Sequence, residues 1–226
     1  LAPGFFCGMF GMVQYHLVTG RVDALYVFLT LLFVFAIWTA VEKGGKYMAI
    51  AALAATGAVL TKQPALLVVG ALCLWGFWIN TFRARMTAFL CLIVVTASQL
   101  VPSLAGHPWF FYYLYQMPSG HPLLWVNIQD FLNRDILQIF SLGLAASLGA
   151  FYGHFRNQVG RRDMFLFLLA FLAMFIAGVL PRIKVGGGTN NLIPLAAAVA
   201  LGCGLLAGLW FPAKGWPGVA AVLLLI

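Results

Sequence analysis

An all-α, polytopic bundle of membrane-spanning helices is the fold class this sequence predicts, and three observations predict it. Of its 226 residues 63% are hydrophobic and 8% charged, whereas soluble domains hold about 45–50% apolar and about 25% charged residues. The apolar residues lie in long continuous runs, unlike barrel strands, which are about 10 residues long and alternate. The basic residues, 13 in all for a net charge of +8, sit mostly in the short gaps between runs, where they set topology. That placement argues against a nucleic-acid partner.

Taken in order, nine segments are apolar enough to cross a bilayer in whole or part. They are Gly4 to Val18, Ala24 to Val41, Tyr47 to Leu60, Pro64 to Ile79, Met86 to Val101, Ile136 to Tyr152, Met164 to Leu180, Leu192 to Phe211, and an incomplete Gly218 to Ile226. The third and fourth are short and separated only by Thr61, Lys62 and Gln63. They are expected to form a tight helical hairpin or one long broken helix. The residues 1–226 read as a single transmembrane module cut from a longer chain, since the sequence opens on Leu1 and stops inside an apolar run. Cys7, Cys73, Cys91 and Cys203 all lie in apolar runs with no CxxC pair, so buried free thiols are expected rather than a disulfide or metal site.

Assigning alternate gaps to opposite sides places Lys43, Lys46, Arg83, Arg85, Arg156, Arg161, Arg162 and Lys214 on one side. Arg21, Lys62, Arg134, Arg182 and Lys184 fall on the other. Eight against five is a positive-inside bias that puts the first set in the cytoplasm. The residues 103–135 are then extracytoplasmic. This stretch carries two His-Pro dipeptides, an aromatic run from Trp109 to Tyr115, and Asn127, Gln129, Asp130, Asn133, Arg134 and Asp135. It is too polar and too broken by proline to span, and Tyr and Trp favour the headgroup level, so it reads as a loop on the membrane surface that covers whatever the protein binds.

Nearly every unusual polar group shares that side. Lys62 either snorkels to the headgroups or points at an anionic headgroup between helices, where Pro64 leaves first-turn amides free to help hold a phosphate. Arg182 and Lys184 add two cations before Gly186, Gly187 and Gly188, whose backbone can approach a ligand closely; Asn190 and Asn191 follow, and Asn191 either caps the next helix or joins a site for phosphate and sugar hydroxyls. Arg21 and Asp23 form an interfacial ion pair, or Asp23 orients Arg21 or a substrate hydroxyl. His107 and His121 lack a third ligand at useful spacing, which favours substrate contact or a loop hydrogen bond over a metal. Asp130 and Asp135 lie five residues apart, on different faces of a helix, and make no catalytic pair. No cofactor motif is visible, neither a Walker loop nor GxGxxG after a strand.

The order of motifs resembles a known family. Arg21-Val22-Asp23-Ala24-Leu25 opens a span; Leu60-Thr61-Lys62-Gln63-Pro64-Ala65-Leu66 follows, then Gly106 to Tyr113 with His121-Pro122, then Lys184-Val185-Gly186-Gly187-Gly188-Thr189-Asn190-Asn191-Leu192. This series is similar to the polytopic glycosyltransferases of the GT-C class, in particular the bacterial protein-mannosyltransferase and aminoarabinose-transferase group. The resemblance implies a bacterial inner-membrane enzyme that transfers a sugar from a polyprenyl-phosphate donor to an acceptor, itself not readable from the sequence, on the extracytoplasmic face. It implies that Lys62 matches the lysine of the family's Thr-Lys-Gly-Pro type motif, with Gln63 in place of glycine. Arg182 and Lys184 would hold the lipid phosphate and sugar, and the loop from Gly106 to His121, with His107, Tyr112 and Tyr113, would close over the donor. The family's catalytic carboxylate lies in its first outer loop, and this chain begins around the third span, so the general base is expected outside these residues. Two other classes compete: a non-catalytic subunit of a larger membrane complex, and a transporter of lipid-linked sugars, which would need inverted repeats and polar residues at mid-membrane.

Overall fold

A computed structural model describes residues 22–106, 108–156 and 160–210. The segments Gly4 to Val18 and Gly218 to Ile226, with Cys7, Arg21 and His107, lie outside these residues. Among the described residues the chain is all-helical, with one isolated antiparallel bridge and no strand.

Helix α1 (Val22–Lys43) starts with Asp23 in its first turn and ends with Lys43, both complementing the helix dipole. Thr30 and Thr39 donate to the carbonyls of Tyr26 and Phe35, each at 2.8 Å, so their hydroxyls need no water in an apolar setting. Gly44 and Gly45 then take positive φ, 62° and 52°, a turn that L side chains resist, and the chain reverses into α2 (Lys46–Thr61). The buried face of α2 is nearly all alanine, including Ala51, Ala55 and Ala58, which lets α1 and α2 lie close along their length.

A break at Lys62-Gln63-Pro64 separates α2 from α3 (Ala65–Trp78). Proline at the start of α3 costs no hydrogen bond, because it has no amide to satisfy; the amides of Ala65, Leu66 and Leu67 donate to the carbonyls of Lys62, Gln63 and Pro64 at 3.1, 2.9 and 3.1 Å, so they are not free for a phosphate as the sequence suggested. The two short helices do not form a tight hairpin: α2 packs on α1 and on α4 (Phe82–Leu104), whereas α3 packs on α4 and on α7 (Arg161–Arg182). Thr81 caps α4 by accepting from the Ala84 amide at 3.4 Å.

The stretch expected to be a surface loop is largely helical. Residues 108–119 form α5, whose middle, Tyr112–Gln116, is π-helical. After a short extended piece, α6 (Trp125–Arg156) runs unbroken for 32 residues, with a π-helical section at Phe131–Phe140. Four of the six polar residues that argued against a span face outward here: Gln129, Asp130, Asn133 and Arg134 are exposed, whereas Asn127 is half-buried and Asp135 turns inward with Phe131 and Phe140 at the wider π spacing.

After α7 a turn and a 3₁₀ segment, Thr189–Leu192, lead into α8 (Ile193–Trp210), in which residues 193–200 are all buried. Small residues let α6 approach it: Gly143 faces Val199, Gly202 faces Ser147, and the Ser147 hydroxyl donates to the Gly143 carbonyl at 2.7 Å. Cys73, Cys91 and Cys203 are buried free thiols.

Four helices, α1, α4, α6 and α7, are long and apolar enough to cross a membrane; α2 and α3 are apolar but shorter, at 16 and 14 residues. The two sets of gaps meet at opposite ends of α1. At its C-terminal end Arg83 donates to the Glu42 carbonyl, and Arg162 pairs with the Glu42 carboxylate at 3.3 Å. At its N-terminal end Asp23 meets Lys62 and Asn190. With about 1.5 Å of rise per residue, roughly 30 Å of helix separates the two clusters.

Candidate anion-binding cavity

The extended backbone of Lys62, φ −158° and ψ 125°, ends α2 and aims its side chain at the first turn of α1. Its ammonium lies 2.6 Å from Asp23 Oδ1 and donates to Asn191 Oδ1 at 3.1 Å. Asn190 Nδ2 donates to the other Asp23 oxygen at 3.4 Å. The Asp23 side chain is 3% exposed and that of Lys62 18%, so the pair is held largely away from water. Asn191 turns its side chain to Lys62 and does not cap the helix that follows.

Lys184 reaches the same place from another direction. The residues before α6 and after α7 zip together: Leu124 N donates to Ile183 O and Val185 N to Pro122 O, both at 3.0 Å, around the Leu123–Lys184 bridge. Asn127 Nδ2 donates to the Lys184 carbonyl at 2.7 Å, and the His121 ring nitrogen Nδ1 lies 3.3 Å from Val185 O. The Lys184 ammonium donates to Pro118 O at 3.1 Å, and among the described residues it has no carboxylate partner.

Between these elements lies a half-open cavity of about 480 Å³, within the range of about 300–1,000 Å³ usual for ligand sites. Lys62, Gln63, Lys184, Asn191, His121 and Ser119 supply its polar lining. Leu66, Leu67 and Leu180 supply an apolar wall, and Tyr115 closes one side. The Tyr115 hydroxyl donates to Gln99 Oε1 at 2.9 Å, and burial pushes the phenol above its ordinary value, which keeps it neutral. No carboxylate lines the cavity among the described residues.

Arg182 departs from its expected place beside a phosphate. It is 6% exposed and absent from the lining; its Nε donates to Asp135 Oδ2 at 2.8 Å and its Nη1 to Gly187 O at 3.2 Å. A guanidinium beside three glycines looks like an anion site, but the carboxylate that claims it comes from the π-helical turn of α6. Asp135, set aside as a base, is fully buried as that partner. Among the described side chains of the aromatic run, Tyr115 alone lines the cavity; Tyr112 stands edge-on to Trp109 with ring centroids 5.8 Å apart. The side chain of Tyr113, like Arg21 and His107, lies outside what the structure describes. Leu66, Leu67, Leu180 and Ser119 had no signal in the sequence, because an apolar or hydroxyl residue in an apolar segment is indistinguishable there from ordinary packing.

Chemically the cavity offers two ammonium groups, one of them already neutralised, with amide and hydroxyl donors above an apolar wall. Such a set suits an anion attached to a hydrocarbon. The chain matches no protein-family model, no curated protein and no solved structure.

Proposed function

We propose that this chain is an integral membrane protein of the GT-C glycosyltransferase type, and that the cavity binds the phosphate of a polyprenyl-phosphate sugar donor. The observation that carries this reading is that Lys62 and Lys184, far apart in the sequence, line one cavity together with an apolar wall formed by Leu66, Leu67 and Leu180. Two ammoniums less the Asp23 carboxylate leave a single net positive charge, which matches the monoanion of a lipid phosphodiester. At about 1.5 Å per residue α2 and α3 are roughly 24 and 21 Å long, short of a hydrocarbon core of about 30 Å. Their connecting turn is therefore recessed on the side of the cavity, where a lipid headgroup enters from the leaflet.

In this reading the acceptor hydroxyl attacks the anomeric carbon while Lys62 and Lys184 stabilise negative charge on the departing lipid phosphate. On the same reading the cavity residues serve the donor.

The test is binding by the purified chain in detergent, with farnesyl phosphate and farnesol as probes. Farnesyl phosphate is expected to bind at least about tenfold more tightly than farnesol, and the Lys62→Gln/Lys184→Gln variant to lose that preference, a change of about 1.4 kcal/mol or more. Equal binding of the two probes, or an unchanged preference in the double variant, would reject the phosphate site. Release of sugar from a polyprenyl-phosphate sugar by membranes containing the protein, absent from the double variant, tests transfer itself.

A further inference from the structure

Deepening the reading of the cavity, we infer that the buried Arg182–Asp135 pair is a positioning device that presents Lys184 to the cavity, and that Arg182 itself never touches the ligand. The inference starts from what surrounds Arg182. Its guanidinium is tied at one nitrogen to Asp135 and at another to the Gly187 carbonyl, five residues further along its own chain. This second bond closes the turn from 182 to 187, with Lys184 inside it. Gly187 is pressed so tightly against the end of α7 that an added Cβ would lie 2.6 Å from the Pro181 carbonyl oxygen, and Gly186 takes a φ of 75°.

Asp135 belongs to the same helix that grips Lys184 from the other side. Asn127, in the first turn of α6, holds the Lys184 carbonyl, and Leu123 and Leu124 just before α6 pair with the backbone at 183 to 185. One element thus fixes the turn at two places: near its N-terminus through main-chain and amide hydrogen bonds, and deeper through the Asp135 carboxylate. The π-helical section brings Asp135 inward opposite the end of α7. The other oxygen of Asp135, Oδ1, is buried without a hydrogen-bond partner. A core that wanted only stability would fill this site with apolar side chains, since a buried ion pair replaced by hydrocarbon of similar volume is often as stable or more so. Retaining the pair here therefore serves orientation of the turn.

That energetic argument also supplies the test. Removing one partner strands a buried charge and endangers the fold, but Arg182→Met with Asp135→Leu removes both charges together. The orientation of the turn is read without any ligand, through a disulfide between Leu123→Cys and Lys184→Cys. Paired residues across an antiparallel bridge have Cα atoms about 4.5–5.5 Å apart, inside the range a disulfide spans. In the otherwise native chain this disulfide is expected to form rapidly under mild oxidation. In the Arg182→Met/Asp135→Leu background it is expected to form about tenfold more slowly, as for coupled neighbours, while thermal unfolding stays near that of the parent. With Lys184 intact, the same double replacement should also lose the preference for farnesyl phosphate over farnesol, and Arg182→Lys should recover part of it. An unchanged disulfide rate with unchanged unfolding would overturn the positioning role. If the disulfide slows but neither parent nor variant distinguishes the two probes, the positioning of Lys184 stands and the phosphate reading of the cavity fails.

Discussion

The Lys62 ammonium lies 2.6 Å from the Asp23 carboxylate, so the break between α2 and α3 is tied to the first turn of α1. Removing one member of such a pair costs more than the pair contributes, because the survivor is left almost dry and uncompensated. Lys62→Met alone is expected to lower stability by about 2–3 kcal/mol, Asp23→Asn by less, and the double replacement to recover most of the loss. Unfolding in mixed micelles across the four proteins measures the coupling; strictly additive losses would show that the contact carries none.

Asp23 also sets the charge of the cavity, since it neutralises one of the two ammoniums. With Asp23→Asn the site carries one more net positive charge. Its preference between lipid phosphates should shift toward a diphosphate by about tenfold, or about 1.4 kcal/mol. Competition between farnesyl phosphate and farnesyl diphosphate reads this directly, and no change in their ratio would mean that Asp23 does not govern the anion's charge.

Crowding at Gly187 leads to a steric expectation. Its Cβ would run into the Pro181 and Arg182 carbonyl groups, which belong to the backbone and cannot step aside. Gly187→Ala should destabilise by about 1–3 kcal/mol. At Gly149, in α6, nothing lies within 4 Å of an added Cβ, so Gly149→Ala should be neutral or raise stability by up to about 1 kcal/mol. The two melting temperatures should therefore move in different directions or by clearly different amounts.

Separation of the two ends of α1 makes a sidedness experiment decisive. Lys46 and Gly120 are both exposed, at the ends where the Glu42 and Lys184 clusters lie. Since Cys73, Cys91 and Cys203 are buried, Lys46→Cys and Gly120→Cys can be labelled selectively once Cys7 is replaced. A membrane-impermeant thiol reagent applied to intact cells should modify only Gly120→Cys. Modification of both from outside would refute the membrane topology.

The helices were legible because an uninterrupted apolar run leaves the backbone few alternatives in lipid: the seven runs from Ala24 onward, as far as the described residues reach, are helical apart from their end residues. Lys62 stood out as well, being a charge between two apolar runs, although the sequence left open whether it snorkels to the headgroups or turns inward. The helical course of residues 108–119 and 125–135 is hidden in the sequence because average polarity does not show how the structure sorts it by face, Arg134 outward and Asp135 inward. Arg182 was misplaced for a different reason. Its partner stands 47 residues earlier in the chain, and nothing local to either residue announces a pairing across two helices.

The backbone zipper around Leu123 and Lys184 has a mechanical corollary. The backbone before α6 and the turn that carries Lys184 are stitched into one body, so the entrance cannot widen on that side without carrying the ammonium along.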